Sequence, residues 1–187
     1  MFLKVLIING AGTSGKDSFI DLFTEVAQSY SSKCKTVVHR FSSVDQIKEY
    51  AFNMGWDGVK DEAGRQFLSD IKDACTRYNN GPFNYMGAKV SEVLKESLTQ
   101  DDLHTAFVFF HVREPEEIAK MVNVYQATSI LVTREGIDTF TNHADSGVYY
   151  YAYDYHVENN GTIDDLKSSA ETIFCSLISG GVGSCQQ

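Results

Sequence analysis

The chain has 187 residues, of which 43% are hydrophobic, and this composition is enough for one packed domain and excludes disorder over most of its length. Its 25 acidic and 16 basic side chains give a formal net charge of -9, so neither nucleic acid nor an anionic membrane is an expected partner. The four cysteines lie far apart, without a zinc-ligand or disulfide spacing, and this favours a cytoplasmic location.

The first predicted elements are a strand, a glycine-rich loop and a helix. Residues 2–9 form a nearly continuous apolar run, which is typical of a parallel strand buried on both faces. The loop GAGTSGKD follows at 10–17. Beyond the loop, apolar residues recur with helical spacing on a helix that begins near Lys16. The members of this apolar stripe are Phe19, Leu22, Phe23 and Val26.

The rest of the chain alternates between strand patterns and helix patterns. Such alternation predicts an α/β fold with three layers, in which a parallel sheet of about five strands is flanked by helices. The further predicted strands cover residues 35–41, 106–112, 129–133 and 153–159. The further predicted helices cover residues 43–54, 61–78, 84–98, 114–123 and 162–179.

The predicted domain organisation is a single domain over residues 1–180. Two stretches are longer than a simple connection requires, and each is a candidate for a segment that covers a substrate. The first, at about 43–100, is expected to be a helical insertion, and the second, at about 134–150, is expected to be a small lid. The tail at 181–187 is expected to be flexible.

The segment from Gly10 to Lys16 matches the phosphate-binding pattern G-x-x-x-x-G-K, for which this composition predicts only about 0.06 chance occurrences. Its position between a buried strand and a helix indicates a P-loop NTPase fold, in which backbone N–H groups converge on phosphate and Lys16 reaches the β- and γ-phosphates. The next position normally supplies a Ser or Thr hydroxyl to Mg²⁺, but here it holds Asp17. The Asp17 carboxylate either ligates Mg²⁺ or caps the helix. The predicted cofactor-binding residues of the loop are Gly10, Ala11, Gly12, Thr13, Ser14, Gly15, Lys16, Asp17 and Ser18.

Three of the five arginines, Arg40, Arg113 and Arg134, fall at the carboxyl ends of predicted strands. In an open parallel sheet these ends share one edge, which is also the edge of the loop. Guanidinium groups bind phosphate in a bidentate manner, so this edge suits phosphoryl transfer between two phosphate-bearing ligands. The alternative is that each arginine pairs with a nearby carboxylate, such as Glu114 or Glu135.

The end of the third predicted strand, FFHVREPEE, holds His111 where P-loop proteins usually place an acidic magnesium ligand. Histidine is a poor ligand for Mg²⁺, so either Glu114 takes part or the metal is held through water and phosphate. His111 itself is either a packed side chain at a strand end or a catalytic group.

With these features in place, the sequence resembles the P-loop small-molecule kinases, the nucleoside-monophosphate-kinase-like group. GKDSF (15–19) looks like the GKD variant of bacteriophage deoxynucleoside monophosphate kinases and of animal-type phosphomevalonate kinase. VREPEE (112–117) resembles the family segment whose arginine contacts the acceptor phosphate, which implies this role for Arg113. LVTREG (131–136) resembles the entry to the ATP lid, which implies that Arg134 faces the transferred phosphoryl group.

The same resemblance implies further binding residues. YDYHVENNGTIDDL (153–166) is similar to the last strand of the family and the Asn-Gly turn after it, so the backbone at Asn160 and Gly161 would border the adenine. The helical insertion, with GRQFLSDIKD (64–73) as its arginine-bearing helix, would form the acceptor-binding region. The expected acceptor-binding residues are Arg40, Lys48, Arg65 and Arg113.

The resemblance implies ATP and Mg²⁺ as cofactors and a small phosphorylated acceptor as the partner, with a (deoxy)nucleoside monophosphate as the leading expectation. Lys16, Arg113 and Arg134 would be the catalytic residues, and Asp17 the metal ligand. The chain departs from the family in that residues 135–150, the expected lid, contain no arginine. Two alternatives therefore stay open: a nucleotide-binding regulatory module without catalysis, and a kinase for a non-nucleotide acceptor such as phosphomevalonate or dephospho-coenzyme A.

Overall fold

A five-stranded parallel sheet forms the centre of the protein, in the order β2-β3-β1-β4-β5. The computed structural model describes residues 2–30, 35–99, 104–137 and 148–179, so the tail predicted at 181–187 and most of the lid predicted at 134–150 lie outside the described residues. The strands are β1 (Phe2–Asn9), β2 (Lys35–Ser42), β3 (His104–His111), β4 (Thr128–Thr133) and β5 (Tyr155–Glu158). The predicted α/β class and parallel five-stranded sheet are confirmed.

Six α-helices accompany these strands in the described part of the chain. They are α1 (Lys16–Ser29), α2 (Asp45–Asn53), α3 (Glu62–Asn79), α4 (Gly81–Leu98), α5 (Pro115–Tyr125) and α6 (Ile163–Ser179), with a short 3-10 helix at Val148–Tyr150. Helix α4 begins earlier than residue 84, where the prediction placed it, because Asn80 reverses the chain in a left-handed conformation and Pro82 fits the first turn.

Strand β5 is shorter than the predicted 153–159. The residues before it are engaged by their side chains: the Asp154 carboxylate accepts hydrogen bonds from the N–H and the hydroxyl of Ser129, each at 2.8 Å. The buried hydroxyl of Tyr153 likewise accepts a hydrogen bond from the Asn9 amide and donates one to the carbonyl oxygen of Val148. Side-chain bonds of this kind replace ladder pairing at the start of the strand.

Strand β1 is buried on both faces, as its apolar run predicted. Leu6 and Ile8 face the layer formed by α1 and α6, whereas Val5 and Ile7 face the layer formed by α4 and α5. Side chains of a strand alternate between faces, so a strand that is covered on both sides must be apolar at successive positions. The sheet is therefore the middle one of three layers.

Aromatic packing fixes α1 against the sheet. The Phe23 ring makes edge contacts with Phe107 and Phe109 of β3 and with Phe174 of α6, at centroid distances of 5.1, 5.0 and 5.6 Å. Edge-to-face pairs of buried rings stabilise such a core beyond their area burial. This packing holds the first turn of α1, and the loop before it, at the carboxyl edge of the sheet.

Three helices, α2, α3 and α4, lie between β2 and β3, within the insertion predicted at about 43–100. Helix α3 packs against both α2 and α4. In the described ranges of the chain, no helix combines the length and the apolar character needed to cross a membrane.

Candidate functional site

The glycine-rich loop joins the carboxyl end of β1 to the first turn of α1. Gly10 has a φ of 145°, and a Cβ atom at this position would lie 2.1 Å from the carbonyl oxygen of Val132 on β4. Gly15 has a φ of 101° and is the residue at which α1 begins its first turn. Both positions require glycine, because of their backbone conformation and because neighbouring atoms approach closely. The chain therefore has the strand, loop and helix of a P-loop fold at the edge of a parallel sheet.

Gly12 differs from these two glycines. It is exposed, and a Cβ atom there would meet no atom of the protein within 4 Å. The fold of the loop thus does not require glycine at this position. Because Gly12 has no side chain, the space above its backbone is open, and a ligand can approach closely.

Lys16 lies over the loop that precedes it. Its ammonium group donates hydrogen bonds to the carbonyl oxygens of Gly10 and Ala11, at 2.8 and 2.5 Å. The hydroxyl oxygen of Ser14, in the same loop, is fully buried and has no hydrogen-bond partner among the described residues. A buried polar atom without a partner is uncommon, and here it lies within the candidate phosphate-binding loop.

Asp17 does not cap α1 with its side chain. The N-cap residue is Gly15, and α1 has no side-chain cap hydrogen bond. The carboxylate of Asp17 instead lies 3.3 Å from the guanidinium of Arg40 on β2 and 3.5 Å from Nε2 of His111 on β3. Arg40 also pairs with Asp21, one turn further along α1. Asp17 therefore does not cap α1 through a side-chain hydrogen bond, although it lies in the first turn of this helix.

His111 ends β3 beside these charged groups. Burial lowers the pKa of His111, and the positive charges of Lys16 and Arg40 lower it further, against the opposing effect of Asp17. The imidazole is therefore neutral at pH 7, and its contact with Asp17 is between a neutral ring and a carboxylate.

The described residues include no cluster of three His, Cys, Asp or Glu side chains that could hold a metal ion. Mg²⁺ keeps several water ligands and is often bound through one or two carboxylates together with substrate phosphates. The exposed carboxylate of Asp17 in the first turn of α1 fits that mode of binding, and Asp17 is the residue that would hold Mg²⁺. Glu114, the other candidate metal ligand, pairs with Lys72.

The predicted arginines occupy different positions relative to the loop. Arg113 lies two residues after β3, and Arg134 directly follows β4. These are the two strands paired with β1, so the two arginines follow the strands on either side of the loop. Arg40 lies within β2 and pairs with Asp17 and Asp21. Arg40 thus pairs with nearby carboxylates, as the alternative to phosphate binding expected, although with Asp17 and Asp21 rather than with Glu114 or Glu135.

The predicted acceptor residues of the insertion lie on two helices. Lys48 on α2 pairs with Asp45 one turn earlier, at 2.9 Å, and Arg65 is exposed in the first turn of α3. A cavity of about 640 Å³ lies between α2, α3 and α4 and is lined by Tyr50, Tyr78 and Tyr85 among others, but not by Lys48 or Arg65. A second cavity, of about 700 Å³, lies at the opposite edge of the sheet, near Phe2 and Thr128.

The turn after β5 contacts the loop through Asn159, which belongs to the predicted Asn-Gly turn but not to the predicted binding residues. The side-chain amide of Asn159 donates to the carbonyl oxygen of Ser14 at 2.9 Å, and a Cβ atom at Gly15 would clash with it. The predicted neighbour Asn160 accepts from the N–H of Glu135, after β4, whereas Gly161 is exposed. The signals for Asn159 in the sequence are its place at the carboxyl end of the last strand and in the Asn-Gly turn; neither indicates that its side chain bonds to the loop.

A buried ion cluster joins the insertion to the end of β3. Lys72 on α3 lies against the carboxylates of Glu114 and Glu117 at the start of α5, and the Lys72–Glu117 distance is 3.1 Å. Lys72 and Glu117 are 8% and 7% exposed. Although burial alone would raise it, the charge of Lys72 holds the pKa of Glu114 below its ordinary value, whereas burial raises the pKa of Glu117 to about 7.

Comparison with known proteins adds little to this geometry. No protein-family model matches the chain, and no curated protein sequence matches it. Among solved structures, shikimate kinase from Aquifex aeolicus vf5 is similar over 96% of this chain and 99% of that one, with 13% sequence identity and a TM-score of 0.45. A likeness at this level says nothing about the substrate or the reaction.

Proposed function

We propose that the protein is an ATP-dependent phosphotransferase that moves the γ-phosphoryl group to a small phosphorylated acceptor, with a (deoxy)nucleoside monophosphate as the preferred acceptor. The observation that carries this proposal is the arrangement around β1: the loop and Lys16 follow β1, while Arg113 and Arg134 follow its two neighbours in the sheet. A cationic edge of this kind suits a reaction in which the main tasks are positioning and charge neutralisation.

The donor would be held by the loop. The backbone from Gly10 to Ser18 would surround its phosphates, with the open space above Gly12 allowing close approach, and Lys16 would neutralise the β- and γ-phosphates. ATP supplies the phosphoryl group when it is bound. Asp17 would hold Mg²⁺, and the backbone at Asn160 and Gly161 would border the adenine.

The acceptor would be held from the other side. Arg113 would pair with its phosphate in a bidentate manner, with Arg40, Lys48 and Arg65 contributing further positive charge, and Arg134 would neutralise the phosphoryl group in transfer. An oxygen of the acceptor phosphate forms the new bond to phosphorus while the bond between the γ-phosphorus and the bridging oxygen of ATP breaks. The remaining ADP retains that oxygen.

Replacement of Gly12 by alanine is expected to weaken ATP binding by about tenfold, because the added methyl group would enter the space that the phosphates need. The unfolding free energy should change by no more than about 1 kcal/mol, since the methyl group meets no atom of the protein within 4 Å. Equilibrium binding of ATP and denaturant unfolding measure the two effects.

The contrasting variant is Gly10→Ala, in which the methyl group would clash with the carbonyl of Val132 and which should lose stability as well as binding. If Gly12→Ala bound ATP as tightly as the wild type, the placement of the phosphates above this residue would be wrong.

The acceptor is tested by measuring ADP release with a panel of compounds: the common nucleoside and deoxynucleoside monophosphates, phosphomevalonate, dephospho-coenzyme A and a no-acceptor control. We expect ADP release that depends on the acceptor, with at least one nucleoside monophosphate giving the highest kcat/KM. If a non-nucleotide compound were the best substrate, the proposed acceptor would be wrong, whereas the proposed phosphotransferase activity would stand.

A second candidate function is a nucleotide-binding module without catalysis. It is favoured by the neutral His111 at the end of β3 and by the pairing of Glu114 with Lys72, which together leave no acidic side chain of β3 or its exit for the metal. Tight ATP binding without turnover on any member of the panel would support the module and reject the phosphotransferase.

A further inference from the structure

One buried side chain connects the phosphate-binding loop to two other parts of the site. Asn9, the last residue of β1, is 1% exposed. Its Oδ1 atom accepts a hydrogen bond from the N–H of Gly10 at 2.8 Å, and its amide nitrogen donates to the carbonyl oxygen of Arg113 at 3.1 Å and to the hydroxyl of Tyr153 at 2.7 Å. Both N–H groups of the amide are thus used, as well as its oxygen.

The chain of hydrogen bonds continues through Tyr153. Its hydroxyl donates to the carbonyl oxygen of Val148 at 2.8 Å, and the two residues are 8% and 1% exposed. Burial raises the pKa of Tyr153 to about 12, so the hydroxyl remains protonated and able to donate at any physiological pH. The direction of donation therefore runs from Asn9 to Tyr153 to Val148 without ambiguity.

These bonds reach the cationic groups of the site through the backbone. Gly10, whose N–H is held by Asn9, accepts with its carbonyl oxygen from the ammonium of Lys16. Arg113, whose carbonyl is held by the same amide, is the residue proposed to bind the acceptor. A single amide therefore connects the backbone on the donor side to the backbone on the acceptor side.

A core without polar atoms would have been simpler at this position. Burial of an amide and a phenol costs free energy unless every polar atom finds a partner, and here the bonds that satisfy them join segments 104 and 144 residues apart in sequence. Networks of this kind specify one geometry rather than adding much net stability. Geometry is what in-line transfer requires, since a misplacement of about 1 Å can cost a hundredfold in rate.

We infer that Asn9 and Tyr153 are positioning residues that keep the loop bearing Lys16 and the backbone of Arg113 in register for transfer. The inference rests on the proposed phosphotransferase function. Each ligand keeps its own direct contacts when this link is broken, so that the ground-state complexes form nearly as before. Loss of the network would instead disturb the alignment of the two ligands for transfer.

The test uses Tyr153→Phe, Asn9→Ala and the double variant. We expect each single change to lower kcat by about tenfold, with the KM values for ATP and acceptor within threefold of the wild type. Because both residues act through one network, the double variant should lose much less than the product of the two single losses. The matched control is Tyr155→Phe, which also removes a bonded hydroxyl, shared with Ser176, and should leave kcat within twofold.

Two results would overturn the inference. The first is a kcat unchanged in Tyr153→Phe and Asn9→Ala even if their melting temperatures fall, which would make the network structural only. The second is a double variant whose loss equals the product of the single losses, which would make the residues independent.

Failure of the proposed function is separable from failure of this inference. If the wild-type chain turned over no acceptor, the proposed function would have failed. Hydrogen exchange of the Gly10 amide would then show whether Tyr153, through Asn9, holds the start of the loop in place. Tyr153→Phe should then accelerate this exchange at least tenfold relative to Tyr155→Phe. An equal exchange rate in the two variants would reject the link.

Discussion

Replacement of Lys16 by alanine is expected to lower kcat by about 10³-fold, because this reaction depends on neutralising charge that develops on the transferred group. The variant should remain folded. Its loss of two hydrogen bonds to the carbonyls of Gly10 and Ala11 should cost about 1–2 kcal/mol of unfolding free energy. Steady-state kinetics with the best acceptor and denaturant unfolding separate the two effects.

The matched control for the loss of a lysine is Lys167→Ala. Lys167 pairs with Glu25 on the surface, at 3.1 Å between exposed side chains, and its removal should leave kcat unchanged. Full activity in Lys16→Ala would reject the assignment of the loop as the site of phosphoryl transfer. If the wild-type chain showed no turnover and Lys16→Ala bound ATP more weakly than the wild type, the result would instead agree with the binding module.

Replacement of Lys72 by methionine is expected to destabilise the protein by about 3 kcal/mol at pH 8, because it leaves two carboxylates at a largely buried position without their counter-charge. Chemical unfolding followed by circular dichroism measures the loss. Lys167→Met is the control, since an exposed pair of this kind contributes no more than about 1 kcal/mol. A second variant that also carries Glu117→Leu should recover part of the loss, because the buried charge is then removed with its partner.

The same cluster should make stability depend on pH. The pKa of Glu117 is raised from 4.5 to about 7 in the folded protein, so between these values the folded state holds a proton that the unfolded chain releases. The unfolding free energy contributed by Glu117 is therefore greatest below about pH 4.5 and falls as the pH rises through 7. Glu117→Gln should remove this decline. The loss in Lys72→Met should be smaller at pH 5, where the carboxyl groups are more easily protonated.

A destabilisation in Lys72→Met no larger than that in Lys167→Met, at both pH values, would contradict the buried cluster. The cluster also bears on the site, because Glu114 directly follows Arg113 and Lys72 belongs to the inserted helix α3. By sequence alone, Glu114 is a candidate metal ligand or a candidate partner of an arginine. In the structure, the Glu114 carboxylate pairs with Lys72 instead.

Much of the fold could be predicted because its signals are local. The apolar run of β1, the turn chemistry of the loop and the helical stripe of α1 each occupy neighbouring positions in the chain. The start of β5 could not be predicted in this way. Tyr153 and Asp154 continue the strand pattern in sequence, but their side chains bond to Asn9 and Ser129, which are distant in the chain.

The sequence by itself determined the α/β class, the loop with Lys16 at the end of a buried strand, and the arginines that follow β3 and β4. These features depend on periodicity and on the rule that parallel strands present their carboxyl ends at one edge. Only the tertiary structure decided what each polar group contacts. It brought Arg40 and His111 to Asp17, and Tyr153 to Asn9, because hydrogen-bond partners and the loss of water around a charge depend on which elements meet, and no local pattern records that.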